Sequence, residues 1–210
     1  MIEVRSFCVG ALGTNSYLLT DSATGESALV DPGDRSASLS AALSELPKGK
    51  LRYILLTHGH FDHISGALYY SEKYNADIVI SRQDSPFLRD SSLNLSAMVS
   101  SCELSGFDAQ FLLSEGDTLT LGDTKIRFIL TPGHTQGSGC YIIEDDRVIF
   151  SGDTLFCGSM GRTDFPTGSP SQMMKSLHRL RNLEGDYKVY PGHNMSTTLD
   201  CERDTNIYLR

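Results

Sequence analysis

Basic residues are scarce in this chain. Eighteen lysines and arginines stand against 26 aspartates and glutamates, for a formal net charge of -8 and a pI of about 5.1. No basic stripe compensates, which argues against nucleic acid or an anionic membrane surface as partner, since both are bound through clustered cations. Long apolar runs are missing as well. The opening Met1-Ile2-Glu3-Val4-Arg5 starts directly on strand-like alternation, with neither a basic leader nor an apolar stretch long enough for a signal peptide or a membrane span. The expected location is therefore the cytoplasm. Five cysteines, Cys8, Cys102, Cys140, Cys157 and Cys201, are odd in number and never spaced Cys-x-x-Cys, so reduced thiols are expected rather than a disulfide framework. Cys157, four residues after Asp153, either offers a thiolate near a metal or is a small buried residue. No internal repeat is visible.

What is present suits one compact domain spanning 1–210, because 210 residues with 40% hydrophobic content bury a sizeable core without disulfides or a second lobe. Strand-like runs recur at Ile2 to Val9, Asn15 to Thr20, Ser27 to Asp31, Leu51 to Thr57, Asp77 to Ser81, Thr118 to Leu121, Lys125 to Thr131, Gly139 to Ile143, Arg147 to Ser151 and Tyr187 to Tyr190. Amphipathic helical spacing interrupts them at Ser36 to Leu46, Ile64 to Tyr74 and Ser171 to Leu183, the last opened by Ser169-Pro170 as cap and first turn. This mixture predicts an α+β arrangement with helices covering the outer faces of paired sheets. Residues Arg82 to Glu115 read as loop and short helix. Leu88, Leu93, Leu95, Met98, Val99 and Phe107 there form either an apolar lid or an ordinary surface excursion.

The chemistry is concentrated in Thr57-His58-Gly59-His60-Phe61-Asp62-His63, which follows the apolar run Tyr53-Ile54-Leu55-Leu56. Side chains close together at a strand end converge on one point, so His58 and His60 can share an ion while Asp62 and His63 address a second. Two of the remaining histidines, His134 and His193, each follow a strand and a Pro-Gly pair. A Pro-Gly turn stops the strand and aims the next side chain away from the sheet. Ser151-Gly152-Asp153 delivers a carboxylate in the same manner, whereas His178 lies in a helical stretch and reads as an exposed helix residue.

The motif His58-Gly59-His60-Phe61-Asp62-His63, followed by His134, Asp153 and His193, resembles the metallo-β-lactamase-fold hydrolases over nearly the whole chain. Gly152-Asp153-Thr154-Leu155-Phe156 and Gly161-Arg162-Thr163-Asp164-Phe165 are most similar to the glyoxalase II-like thioesterases and their neighbours, the persulfide dioxygenases. The resemblance implies a four-layer αββα sandwich holding two divalent metal ions, zinc first, with iron or manganese as alternatives. It assigns His58, His60 and His134 to one metal and Asp62, His63 and His193 to the other. Asp153 bridges them, and Asp62 and Asp153 are the candidate catalytic carboxylates. It further implies a hydroxide held between the metals that attacks a thioester carbonyl.

Asp31 is either the acid that orients a ligand histidine or an Asp-Pro-Gly turn residue. Arg162 is the candidate substrate grip, with an internal pair to Asp164 as the alternative, and Tyr190 either lines the pocket or packs. The chain ends soon after His193, without the helical C-terminal domain that supplies much of the glutathione pocket in full-length glyoxalase II enzymes. The expected substrate is therefore a small-molecule thioester with broad recognition of the thiol part. Two rivals stand beside this reading: a mononuclear iron persulfide dioxygenase using His58, His134 and Asp153, and a non-catalytic metal-binding module.

Overall fold

A computed structural model of the chain describes residues 1–99, 104 and 106–210. One sheet contains β1 (Ile2–Val9), β2 (Thr14–Asp21), β3 (Ser27–Val30), β4 (Leu51–Leu55), β5 (Asp77–Ser81) and β6 (Phe111–Leu113), in that spatial order. β1 to β3 pair antiparallel, and β3 to β6 run parallel. The second sheet begins with an antiparallel meander of β7 (Thr118–Leu121), β8 (Thr124–Leu130), β9 (Gly139–Ile143) and β10 (Val148–Gly152). After a separate hairpin of β11 (Leu155–Phe156) and β12 (Ser159–Met160), β13 (Lys188–Pro191) joins β10 in parallel and β14 (Thr197–Thr198) closes that edge.

Strand alternation decides the layers, because successive side chains point to opposite faces. Leu19, Ala28, Val30, Leu55 and Val79 of the first sheet meet Ile126, Phe128, Tyr141, Ile143 and Phe150 of the second in one buried cluster. The residues between them point outward. Leu18, Leu29, Ile54, Ile78 and Ile80 are covered by α1 (Ala37–Ser44) and α3 (Ala67–Tyr74) through Leu39, Leu43, Ala67 and Tyr70. On the far side, Ile129, Cys140, Ile142, Ile149 and Val189 are covered by α4 (Pro170–Arg181) and α5 (Leu199–Thr205) through Met173, Leu177, Leu180 and Leu199. Both faces of each sheet are thus apolar and covered, which is the expected αββα sandwich.

The helix starts follow their caps: Ser36 accepts from Leu39 N at the head of α1, and Ser169 accepts from Gln172 N ahead of Pro170 at the head of α4. Four strands escape sequence reading. β6 lies inside the stretch expected to be loop and short helix, and β11, β12 and β14 have two residues each, so none is long enough to display a period of two. The expected helix from Ile64 to Tyr74 is broken: α2 (Phe61–Ile64) is a single turn within the histidine motif, separated from α3 by Ser65-Gly66. A Cβ on Gly66 would press on the Pro32 and Asp34 carbonyl oxygens, so the break is where the two segments pass closest.

In the Arg82 to Glu115 stretch, Leu88 and Phe107 are core residues under the first sheet's helices, Leu93 is half-buried and Met98 is exposed. Residues 100–103 and 105, including Cys102, lie outside the described residues. Among the described residues no helix is long and apolar enough to cross a membrane.

Candidate metal centre

The proposed ligands sit just past strand ends or on the short helix that follows one of them. His58 and His60 follow β4, Asp62 and His63 lie on α2, His134 follows β8, Asp153 follows β10 and His193 follows β13. These seven side chains form three overlapping groups, His58/His60/His134, His58/His63/Asp153 and Asp62/His63/His193, with ligand atoms in each group within 4.8 Å of one another. His60 Nδ1 and His134 Nε2 are 2.8 Å apart. His193 Nε2 is 3.2 Å from Asp62 Oδ2 and 3.7 Å from Asp153 Oδ2. His63 Nε2 is 3.4 Å from Asp153 Oδ1, and His134 Nε2 is 3.5 Å from Asp153 Oδ2, so Asp153 faces both halves of the cluster.

Outer partners set the imidazole tautomers. His63 Nδ1 donates to Asp31 Oδ2 at 2.9 Å, and His134 Nδ1 donates to the Arg162 carbonyl at 2.7 Å. The Thr57 hydroxyl gives its proton to Asp31 Oδ2 at 2.7 Å and so accepts from His58 Nδ1 at 3.1 Å. In each of these three rings Nδ1 is engaged, so Nε2 is the nitrogen turned inward where a cation would bind. His58 Nε2, His60 Nε2, His63 Nε2 and Asp153 Oδ1 are buried and have no hydrogen-bond partner. Orphaned groups cost roughly 1–3 kcal/mol each. Such a concentration of unsatisfied nitrogen and carboxylate atoms fits a divalent-metal centre.

Charge agrees with this grouping. Burial, with neighbouring His63 and His134, pushes His58 well below its ordinary value, and burial beside His134 brings His60 to about 3, so both are neutral donors. Burial opposes ionisation of Asp62 and Asp153, but the adjacent His63 holds both carboxyls below their usual range. Burial also disfavours a charge on His63, yet Asp62, Asp153 and Asp31 together pull it well above the ordinary imidazole value.

Backbone geometry makes room for this crowding. Asp31 takes a positive φ of 45°, a conformation its short polar side chain tolerates. In this geometry it accepts from Thr57 N at 2.8 Å as well as serving His63. It thus orients a ligand while also occupying the turn. The turn carrying His193 is held from the opposite sheet: Asn15 N donates to Gly192 O at 2.7 Å and the Tyr17 hydroxyl to Pro191 O at 2.6 Å. Thr14 Oγ1 donates to Asp62 Oδ2 at 3.1 Å.

Sequence reading missed Asp84, which is fully buried and accepts from Gly59 N, Gly137 N and Thr135 Oγ1. Burial pushes its carboxyl up to about 6 against those donors. The signal available in the sequence was only an acid just past an apolar strand, Ile78 to Ser81, which is also the signature of an ordinary turn.

Above the ligands lies a cavity of about 450 Å³ whose walls include Leu12, Leu95, Phe156, Met160, Phe165 and Arg162. Leu95 is the residue of the proposed lid set that reaches it. The Arg162 guanidinium lies at the rim, bonded twice to Asp164 at 2.7 Å and 4.0 Å from the centre of the Phe165 ring. The alternative foreseen for Arg162, an internal pair, is therefore the arrangement present. For Tyr190, the packing alternative is the arrangement present. Alternation along β13 turns it between the sheets, where it stacks on Phe150 at 5.3 Å, and it is not among the cavity walls. Cys157 is half-buried and joins no ligand group, and His178 is exposed.

The family model for the metallo-beta-lactamase superfamily matches residues 9–193. The chain belongs to that superfamily. Within it, the chain is 32% identical to the hydroxyacylglutathione hydrolase GloC of Haemophilus influenzae, over 99% of this chain and 98% of that protein. Among superfamily structures it resembles the BLEG-1 B3 metallo-beta-lactamase, with a TM-score of 0.88 at 31% identity, covering 99% of each chain. It also resembles TTHA1623, solved in a di-iron-bound form, with a TM-score of 0.85 at 32% identity, over 98% of this chain and 100% of that one. The chain therefore pairs the superfamily's scaffold with the His/Asp cluster of a metal-dependent hydrolase.

Proposed function

We propose that this protein is a dimetal thioesterase of the hydroxyacylglutathione hydrolase type. The observation that carries the reading is the pair of ligand triads, His58/His60/His134 and Asp62/His63/His193, meeting at Asp153 on the floor of a cavity large enough for a small acyl thioester. The likeness to GloC over almost the full length of both chains supports the thioester as substrate class. When bound, two divalent cations, zinc first and iron or manganese as alternatives, supply Lewis acidity and bring water's pKa down to about 7.

The residues of the chain do the rest. Asp31, Thr57 and the Arg162 carbonyl fix the tautomers of His63, His58 and His134, so ligand nitrogens need not reorganise. Leu12, Phe156, Met160 and Phe165 give the cavity apolar walls that shield the reacting carbonyl from bulk water. Arg162 is the one permanently cationic residue among the described residues lining the cavity, and Asp164 already neutralises it. Recognition of an anionic thiol carrier such as glutathione is accordingly weak, and small thioesters with uncharged thiols are accepted as well.

The test is elemental analysis of protein purified without added metal, alongside hydrolysis of S-lactoylglutathione, an uncharged aryl thioester and a β-lactam. About two metals per chain, turnover of both thioesters and loss of turnover with a chelator support the proposal. One iron per chain with oxygen uptake on glutathione persulfide, or turnover of the β-lactam alone, overturns it.

A further inference from the structure

Asp84 lies three residues past β5, the strand parallel and adjacent to β4, and its side chain crosses to two loops that each carry ligands of one triad. Its Oδ2 accepts from Gly59 N at 3.0 Å, the amide lying between His58 and His60. The same oxygen accepts the Thr135 hydroxyl at 2.6 Å, and Oδ1 accepts from Gly137 N at 2.8 Å, both in the turn that presents His134. One carboxyl thus links the first sheet's ligand loop to the second sheet's ligand turn.

Close packing leaves this link no substitute. A Cβ on Gly59 would strike the Phe87 side chain, and a Cβ on Gly137 would strike the Ser81 hydroxyl and Asp84 itself. The segment from Ser81 to Phe87 therefore presses on both loops at their narrowest points. Asp84 is held in turn by Ser81, whose Oγ accepts from Asp84 N at 3.1 Å. The Gly59 and Gly137 amides are buried and cannot turn to water, so loss of the carboxyl leaves both unpaired, while the Thr135 hydroxyl keeps only Ser138 Oγ at 2.7 Å.

The other triad is held by different means. His63 is oriented by Asp31 at 2.9 Å, Asp62 by Thr14 at 3.1 Å, and the turn of His193 by Asn15 and Tyr17. None of the bonds Asp84 makes reaches that group.

We propose that Asp84 is the positioning residue of the His58/His60/His134 triad: it locks the two ligand loops in one register and sets the metal affinity of that triad alone. This rests on the dimetal reading of the site. Groups that orient metal ligands typically alter affinity by about tenfold to a hundredfold when removed.

The experiment is zinc titration of the metal-free full chain against a chromophoric chelator, for wild type, Asp84→Ala, Asp84→Asn and Thr135→Val. Asp21→Asn, a buried acid remote from the centre, serves as the control, and unfolding of each metal-free variant is followed by circular dichroism. Wild type is expected to bind two zinc ions. Asp84→Ala weakens one of the two by about tenfold to a hundredfold and leaves the other unchanged. Asp84→Asn, which keeps one acceptor oxygen, and Thr135→Val, which removes one donor, fall between. Two unchanged sites in Asp84→Ala overturn the inference. So do two sites weakened equally, with a loss of metal-free stability matching the Asp21→Asn control, which would make Asp84 a structural residue only. A wild type that binds fewer than two zinc ions removes the dimetal reading first and this inference with it.

Discussion

Gly192 has no room for a side chain because Asp153 Oδ1 occupies the place its Cβ would take, with His63 Cε1 only 2.7 Å from the same point. The residue preceding His193 therefore forms part of the wall around Asp153 and is more than a flexible element of a turn. Gly192→Ala should displace Asp153 and drop turnover by at least about a hundredfold, as misplacement by an ångström does in other active sites. Melting of the metal-free protein should change little, since Gly192 lies at the rim; equal loss of both would refute the account.

Asp31→Asn separates orientation from backbone geometry. Asparagine also tolerates the positive φ of 45° at this turn. Its amide would face His63 Nδ1 as a donor, however, forcing the proton onto Nε2 and blocking ligation. The expected outcome is near-normal folding with metal affinity down about tenfold to a hundredfold, read by chelator competition.

Asp164 pairs with Arg162 at the cavity rim, and on the thioesterase reading proposed above this pair sets how the guanidinium meets an anionic substrate. The pair is solvent-exposed, and such pairs are worth roughly 0.2–1 kcal/mol. Asp164→Asn frees the guanidinium and should lower KM for S-lactoylglutathione by about twofold to fivefold, with no change for an uncharged aryl thioester. A parallel shift for both substrates would show that charge is not the cause.

Acid stability should report Asp21. Its carboxyl accepts from Thr124 Oγ1 at 2.7 Å across the sheets and from Thr24 N at 2.9 Å, and these bonds hold it at about 2 despite burial. A folded value below the unfolded value of about 3.9 means this stabilisation is complete above that pH and is lost as pH falls toward 2. Urea midpoints of wild type and Asp21→Asn should therefore differ at pH 7 and converge below about pH 4. A constant difference across that range would argue against the assignment.

Most of the architecture was legible in local pattern. Leu18/Leu19, Ile54/Leu55 and Phe128/Ile129 alternate between two apolar faces, and apolar positions on both faces require a covering layer on each. The caps Ser36 and Ser169 mark the starts of α1 and α4 because the hydrogen bonds they make are local. The candidate ligands were visible for a similar reason: six sequential positions supply four of them, and the other three each follow a strand-ending turn.

Other features were decided only when distant segments met. Nothing near Asp84 in the chain distinguishes it from a turn acid, because Gly59, Thr135 and Gly137 become its partners through the pairing of β4 with β5 and the closing of one sheet on the other. The same holds for Tyr190, turned inward by the register of β13 on β10, and for β6, too short to carry a period. Sequence by itself determined which atoms are available to bind metal and which faces must be buried, since both follow from residue type and short-range spacing. Tertiary structure decided which nitrogen of His63 and of His134 turns toward the centre and which carboxyls hold the ligand loops in place, because those depend on hydrogen bonds between segments far apart in the chain.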